Sequence, residues 1–203
     1  MWPAPSDQGF TERVSAPGNN VFRRCTGQLP FLANGGAIYG GRNNRIEDCL
    51  FKDISSGCGI LISSTFPTAD EARKIDNNFS GTTVVRNCEL IRCGGYDHDW
   101  AWRAAFQICL DRRNISGLEI SNVDIRDSIS DGLSIVAPGG PKGQGTLSNV
   151  HLKNVNIPNW GIGTDSRHGL WIRDDASGSL TISHSKIAGI QNSSSNFTIL
   201  NEP

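Results

Sequence analysis

Chemically capable side chains are concentrated in one ten-residue segment, from Gly94 to Arg103. It holds two carboxylates, a histidine, three aromatic rings and an arginine: Asp97, Asp99, His98, Tyr96, Trp100, Trp102 and Arg103. Aromatic rings stack on the apolar faces of sugars, while charged groups hydrogen-bond to sugar hydroxyls. The segment therefore predicts a carbohydrate site. The alternative is an aromatic loop that folds back over the body of the protein.

Three aspartates are the candidates for acid–base chemistry at such a site. Hydrolysis of a glycosidic bond usually takes two carboxyl groups, about 6.5–9.5 Å apart in an inverting enzyme and about 5–5.5 Å apart in a retaining one. Asp131 is followed by Gly132, which leaves room for close approach. Asp97 or Asp99 would supply the second carboxyl. The alternative for Asp131 is a solvated aspartate in a turn.

Further polar and aromatic residues complete the candidate site. His168 would tune Asp131 or bind the substrate, with a structural histidine as the alternative. Substrate-binding roles are also predicted for Tyr96, Trp100, Trp102, Arg103, Asp111 and Trp160. The Asp174-Asp175 pair precedes Ala-Ser-Gly, so a turn is predicted there.

A short phrase that returns along the chain indicates what positions these residues. It reads apolar, polar, Asn/Asp/His, small or apolar, polar, apolar. The full copies are Ile46–Phe51, Val85–Leu90, Ile120–Ile125, Leu152–Ile157 and Ile182–Ile187, and a weaker copy, Phe22–Gly27, precedes them. The middle positions 24, 48, 87, 122, 154 and 184 are separated by 24, 39, 35, 32 and 30 residues. Repeats of this length are typical of solenoids, because one unit cannot bury its apolar face without its neighbours.

The interior of each repeat predicts strands. No copy contains a ten-residue run with helical periodicity, and short stretches of two-residue alternation are punctuated by Gly and Asn. The polar centre of the phrase fits a corner, because Asn and Asp tolerate left-handed backbone geometry. Stacking would place one column at that corner: Asp48, Asn87, Asn122, Asn154 and His184. We predict an all-β parallel β-helix of about six coils, with an ordinary β-sandwich as the alternative.

A second phrase follows the corner in four consecutive repeats. It reads any residue, then small, apolar, any, apolar: Cys58–Ile62, Ala104–Ile108, Asp131–Ile135 and His168–Ile172. Stacking would bring the first residues of the four copies into one outward-facing column, about 4.8 Å apart. Chemistry is expected along this column and in the insertions beside it, because solenoid coils tolerate loops on one face.

Composition restricts the class of protein. The chain has 203 residues, 23 of them Gly, and a formal net charge of −1, so no electrostatic footprint for nucleic acid or membrane is present. We predict one monomeric domain over 1–203, irregular over 1–19 and coiled over 20–203. No apolar run is long enough to span a bilayer, and the start lacks the regions of a signal peptide. Either the protein stays inside the cell, or the chain is a piece of a larger module. We expect the piece, because a β-helix needs its open ends covered and neither terminus reads as a cap.

The six cysteines lack metal-finger spacing. Cys25, Cys49 and Cys88 hold one position of the first phrase and predict an inward column of buried thiols. The long loop allows a bridge between Cys93 and Cys109.

Two strands and the long loop resemble known hydrolases. Asp131-Gly-Leu-Ser-Ile135, followed one coil later by Arg167-His-Gly-Leu-Trp-Ile172, resembles the polygalacturonase-type β-helix hydrolases. The segment from Gly94 to Arg113 resembles more specifically the bacterial α-1,3-glucanases (mutanases, mycodextranases) of glycoside hydrolase family 87. This resemblance covers most of residues 20–200. It implies a right-handed, single-stranded, pectate-lyase-like β-helix and extracellular endo-cleavage of α-1,3-glucan with inversion by paired Asp carboxylates. It also implies that the chain is a fragment of a secreted enzyme's catalytic module.

The sequence departs from the polygalacturonase pattern at two positions. Such sites use one Asp on one coil and two consecutive Asp on the next, where Ala104 and Ser130 stand here. Either Asp97 and Asp99 replace the missing carboxylates, or the missing carboxylates lie on coils outside this piece.

Two other classes of protein stay open. One is a polysaccharide lyase with a Lys or Arg base and a Ca²⁺ site of clustered carboxylates. For this class the sequence offers Arg103, Arg112 and Arg113 near Asp97, Asp99 and Asp111. The other is a non-catalytic β-helix that binds polysaccharide. Outside the lyase interpretation no cofactor is predicted.

Overall fold

In the computed structural model, strands follow the repeats of the sequence. The structure describes residues 14–15, 18–28, 34–64, 75–76, 79–97, 101–102, 104–110, 114–137, 145–161 and 168–203, with backbone alone at 14–15, 75–76, 96–97 and 101–102. The strands in these residues are, in chain order, β1 (Val14–Ser15), β2 (Val21–Arg23), β3 (Thr26–Gln28), β4 (Gly36–Ile38), β5 (Gly41–Arg42), β6 (Arg45–Glu47), β7 (Leu50–Ile54), β8 (Ile60–Ser63), β9 (Ile75–Asp76), β10 (Phe79–Ser80), β11 (Thr83–Cys93), β12 (Tyr96–Asp97), β13 (Ala101–Trp102), β14 (Phe106–Cys109), β15 (Ile115–Arg126), β16 (Leu133–Val136), β17 (Leu147–Ile157), β18 (Leu170–Ile172), β19 (Gly178–Ser183), β20 (Lys186–Ile187), β21 (Ile190–Asn192) and β22 (Phe197–Glu202). These residues contain no helix that could cross a membrane.

Two parallel sheets contain most of the strands. The six-stranded sheet has the order β4-β8-β14-β16-β18-β21, and the ten-stranded sheet follows β2-β6-β11-β15-β17-β19-β22, with β3, β7 and β20 attached. Small parallel pairs join β1 to β9 and β5 to β10. Among the described pairs, the β12–β13 hairpin alone is antiparallel. The all-β prediction and the parallel stacking are confirmed, whereas an ordinary sandwich of antiparallel sheets is wrong.

The corner residues stack as the first phrase predicts. Their φ angles lie between 51° and 56°, in the left-handed region: Asp48, Asn87, Asn122, Asn154 and His184. Each amide of the column donates to the residue before it. Asn87 Nδ2 donates to Asp48 Oδ1 (2.9 Å), Asn122 Nδ2 to Asn87 Oδ1 (3.0 Å) and Asn154 Nδ2 to Asn122 Oδ1 (2.7 Å). The column bends β11, β15 and β17 near their middles, so the ten-stranded sheet forms two sides of the stack.

Apolar columns fill the interior of the stack. Ile46, Val85, Ile120 and Leu152 are paired in register, and each is at most 2% exposed. Burying one such side chain contributes about 1.5–3 kcal/mol. Because a neighbouring repeat covers each column, stability depends on the stacking and not on any single coil.

The cysteine column lies inside the stack. Cys49 and Cys88 are buried, and Cys25 packs against the same core. All six cysteines are free thiols, so the bridge between Cys93 and Cys109 is wrong. Cys93 lies opposite Ile54 in a different sheet from Cys109. Burial raises the pKa of Cys88 and Cys93 to about 12, which keeps these two thiols protonated and unreactive.

A buried carboxylate ties the first three repeats together. Glu47 is fully buried and lies under the side chains of Arg23, Arg45 and Arg86. Arg23 Nε donates to Glu47 Oε2 at 2.8 Å, and Arg86 Nε lies 3.1 Å from Oε1. The hydrogen bond from Arg23, with the charges of the three arginines, holds the pKa of Glu47 below its ordinary value although burial opposes this.

Candidate active site

The predicted column of Cys58, Ala104, Asp131 and His168 forms beside the six-stranded sheet. The pairing of β8, β14, β16 and β18 continues two residues back along each strand and sets these four positions next to one another. The backbone agrees, since the Gly132 N–H donates to the His168 carbonyl at 3.0 Å. Cys58 and His168 both contact side chains of the outer face of the sheet, Gln107 and Trp171 respectively.

This column is buried along most of its length, which the sequence does not predict. Cys58, Ala104 and Asp131 are 0%, 1% and 2% exposed, whereas the His168 side chain is 33% exposed. The neighbouring outer column changes in the same way, from buried Leu61, Gln107 and Ser134 to half-buried Trp171 and exposed Gln191. The interpretation of Asp131 as a solvated turn aspartate is therefore wrong. The outer face opens to solvent beyond His168.

Asp131 is held by the residue that follows it in the column. Its Oδ1 accepts the His168 main-chain N–H at 2.8 Å and lies 3.6 Å from His168 Nδ1. That nitrogen is buried and has no hydrogen-bond partner in the described part of the chain. A separation of 3.6 Å exceeds a hydrogen bond, so the two side chains are in contact without one.

Trp171 and Arg173 continue the site beyond His168, and sequence reasoning missed both. The His168 and Trp171 rings lie 5.8 Å apart with 36° between their planes. The Arg173 guanidinium carbon lies 5.7 Å from the indole centroid. Trp171 Nε1–H donates to Ser193 Oγ at 3.3 Å. Trp171 stands at the second phrase's fourth position, which accepts any residue. Because it lies between the buried Leu170 and Ile172, strand alternation could have placed its side chain on the outer face.

Ser130 and Trp160 have packing roles near Asp131. Ser130 is fully buried, and its Oγ donates to the Gly94 carbonyl at 2.7 Å, which ties two coils together. The Gly161 N–H donates to the Ser130 carbonyl at 2.9 Å. The half-buried Trp160 packs over Gly189, where a Cβ would lie 2.8 Å from the ring. The prediction that Trp160 binds substrate remains a prediction.

The segment rich in acids and aromatics begins as a hairpin. In the backbone, β12 and β13 place Tyr96 opposite Trp102 and Asp97 opposite Ala101. The side chains of these residues lie outside the description, as do all atoms of Asp99, Trp100, Arg103 and Asp111. Their predicted catalytic and substrate-binding roles remain predictions.

The described carboxylates form no cation site. In the described ranges no group of three or more His, Cys, Asp or Glu side chains is placed to hold a metal ion. Asp174 and Asp175 form the predicted turn. Asp175 Oδ1 accepts the Ala137 N–H at 3.0 Å, and its Oδ2 lies 3.6 Å from Arg173 Nη2. A calcium site elsewhere remains a prediction.

Comparison with solved structures shows which known proteins share this fold. No protein-family model and no curated protein matches the sequence. The catalytic unit of a thermostable GH87 α-1,3-glucanase from Streptomyces thermodiastaticus strain HF3-3 superposes with a TM-score of 0.74 at 22% identity, covering 92% of this chain and 35% of that one. The chain has the fold of part of a GH87 catalytic domain. This confirms, at the level of the fold, the resemblance given by Gly94–Arg113 and Asp131–Ile135.

Two further solved structures agree. The catalytic domain of a GH87 α-1,3-glucanase with an Asp-to-Ala substitution, in complex with tetrasaccharides, matches at 25% identity with a TM-score of 0.67, covering 88% of this chain and 35% of that one. The Agl-KA catalytic domain matches at 19% identity with a TM-score of 0.62, covering 90% and 31%. This chain therefore spans about a third of the length of these three structures.

Proposed function

We propose that this chain is part of a polysaccharide hydrolase that cleaves α-1,3-glucan, with Asp131 as one reacting carboxyl. The observation that carries the proposal is the contact of Asp131 with His168. A buried carboxylate lies on the outer side of the stack, 3.6 Å from an imidazole nitrogen. Burial and a specific charge partner beside an opening are typical of acid–base groups. The GH87 fold supports glucan as the substrate.

In the proposed reaction, Asp131 acts as the base. The His168 main-chain N–H fixes one oxygen of the carboxylate, and the carboxylate takes the proton of an attacking water. Asp97 or Asp99, each of which precedes Asp131 in the sequence by one repeat, protonates the oxygen of the leaving sugar. Attack of water on the face opposite the leaving group inverts the anomeric centre.

The same proposal includes the setting of the site. The chain forms a single domain, a right-handed parallel β-helix of about six coils, and belongs to a larger catalytic module. The enzyme acts as a monomer on glucan outside the cell, in the endo mode. The fold leaves the outer face beyond His168 open to a long polymer, which fits cleavage within a chain.

A panel of polymers tests the proposal. The purified chain is incubated with insoluble α-1,3-glucan, dextran, polygalacturonate and alginate, and new reducing ends and ultraviolet absorbance are followed together. We expect reducing ends from α-1,3-glucan alone, without absorbance. Absorbance would identify an unsaturated product and therefore a lyase.

Binding measured on the same samples separates the remaining outcomes. Sedimentation of the chain with α-1,3-glucan but no new reducing ends would favour a non-catalytic binding module. A folded sample that neither binds nor cleaves α-1,3-glucan would contradict the proposal.

A further inference from the structure

We infer that the open end of the outer face is a subsite for a neutral sugar unit, centred on Trp171 and adjacent to Asp131. The inference rests on the proposed function and assigns to Trp171 a role in binding, not in bond cleavage. Trp171 lies on β18, one coil beyond β16, and strand spacing places these coils about 4.8 Å apart.

The position of Trp171 follows from how the outer face opens. Ser134, its partner on the preceding coil, is buried, and Gln191, its partner on the following coil, is exposed. The indole therefore stands at the boundary between the covered and the open part of the face. A polymer that lies along the open part of the face would reach this boundary beside His168, whose side chain is 33% exposed and lies 3.6 Å from Asp131.

The indole is held in place before any ligand arrives. Its Nε1–H donates to Ser193 Oγ at 3.3 Å, and the Arg173 guanidinium lies 5.7 Å from its centroid. Arg173 is in turn 3.6 Å from Asp175, whose other oxygen accepts the Ala137 N–H. A side chain fixed in this way loses little conformational freedom on binding, which favours affinity.

The charges of the patch select a neutral sugar. Arg173 is paired with Asp175, and Asp131, which lies 3.6 Å from His168, adds negative charge. An acidic sugar would need an unpaired cation and would be repelled by these carboxylates. A neutral glucose unit needs only an aromatic surface and hydroxyl partners, and Trp171, Ser193 and Gln191 offer both. The patch therefore fits a glucan better than a polyuronate.

The test separates binding from cleavage. Affinities for nigerose, an α-1,3-linked glucose tetrasaccharide and a galacturonate tetrasaccharide are measured by calorimetry in an Asp131→Asn background. KM and kcat on α-1,3-glucan are measured without that substitution. Trp171→Ala is expected to weaken tetrasaccharide binding and to raise KM about tenfold or more, equivalent to about 1.4 kcal/mol. The value of kcat should stay within about twofold, because Trp171 does not touch the reacting carboxyl.

Tyr39→Ala is the matched control. Tyr39 is 42% exposed and lies just past β4, at the opposite end of the same sheet. Its removal should leave both the affinity and KM unchanged. Trp171→Phe keeps an aromatic ring but loses the bond to Ser193, so an intermediate affinity is expected. Unfolding curves establish that each variant is folded.

The outcomes distinguish the two levels of the argument. An unchanged KM and affinity in Trp171→Ala, with the parent chain still cleaving α-1,3-glucan, would overturn the subsite and leave the proposed function standing. Equal losses in Trp171→Ala and Tyr39→Ala would also overturn it. Tighter binding of the galacturonate would overturn the neutral ligand class. A parent chain that neither binds nor cleaves α-1,3-glucan would remove the proposed function itself.

Discussion

Replacing Asn122 with Ala should destabilise the stack measurably, because Asn122 is the middle of the corner column. The change removes the bond donated to Asn87 (3.0 Å) and the bond accepted from Asn154 (2.7 Å). These bonds are exposed, so each contributes about 0.5 kcal/mol, the low end of the usual range. Alanine must also adopt φ near 53°, which costs about 1–2 kcal/mol. The expected loss in the free energy of unfolding is about 2–3 kcal/mol.

Asn122→Asp is the matched variant for this prediction. Aspartate tolerates the left-handed backbone and still accepts from Asn154, but it no longer donates to Asn87. Its expected cost is about 0.5 kcal/mol, for the one bond that is lost. Urea unfolding followed by circular dichroism measures both variants, with the midpoint shift read at constant slope. A midpoint for Asn122→Ala equal to that of the parent chain, or equal losses in both variants, would refute the assignment of strain and hydrogen bonding to this column.

Two further predictions concern the stack. Glu47→Gln should lower Tm by about 2–4 °C near neutral pH. Because the pKa of Glu47 lies below its ordinary 4.5 when folded, its contribution is present above that pH and is lost as pH falls through the folded value, so the difference in Tm should shrink in acid. Glu89→Gln, at a carboxylate 54% exposed, is the control, and a gap that widens in acid would contradict the sign. Gly169→Ala should cost about 2–3 kcal/mol in urea unfolding, because its Cβ would lie 1.9 Å from the Ala188 carbonyl oxygen. Gly59→Ala, where the nearest backbone atom is 3.0 Å away, should cost less, and the reverse order would contradict the packing argument.

The corner column could be predicted because its signal is local. Asn87, Asn122 and Asn154 recur at repeat spacing, and one residue type explains both the backbone geometry and the ladder of amides. The column of Asp131 and His168 could be predicted for the same reason, since a shared phrase fixes the register of parallel strands. Both predictions required only periodicity and the conformational preference of single residues.

Burial of the outer face could not be predicted in this way. The second phrase places Asp131 outside the coil interior, but whether other parts of the protein cover it depends on contacts between distant segments. The cluster around Glu47 is similar, because Arg23, Arg45 and Arg86 come from three repeats. Trp171 was missed because its position in the phrase accepts any residue, so only the opening of the face gives it importance.

The most direct test of the central claim is the rate of reducing-end release from α-1,3-glucan by the parent chain, Asp131→Asn and Asp174→Asn. Asp174 is an exposed carboxylate in a turn and serves as the matched control. We expect Asp131→Asn to lose about a thousandfold or more of the activity, since general base catalysis contributes about 10²–10⁴-fold and the carboxylate is fixed for that role. Asp174→Asn should retain the parent rate. Comparable rates in Asp131→Asn and the parent chain, with both folded, would contradict the assignment of the reacting carboxyl to Asp131.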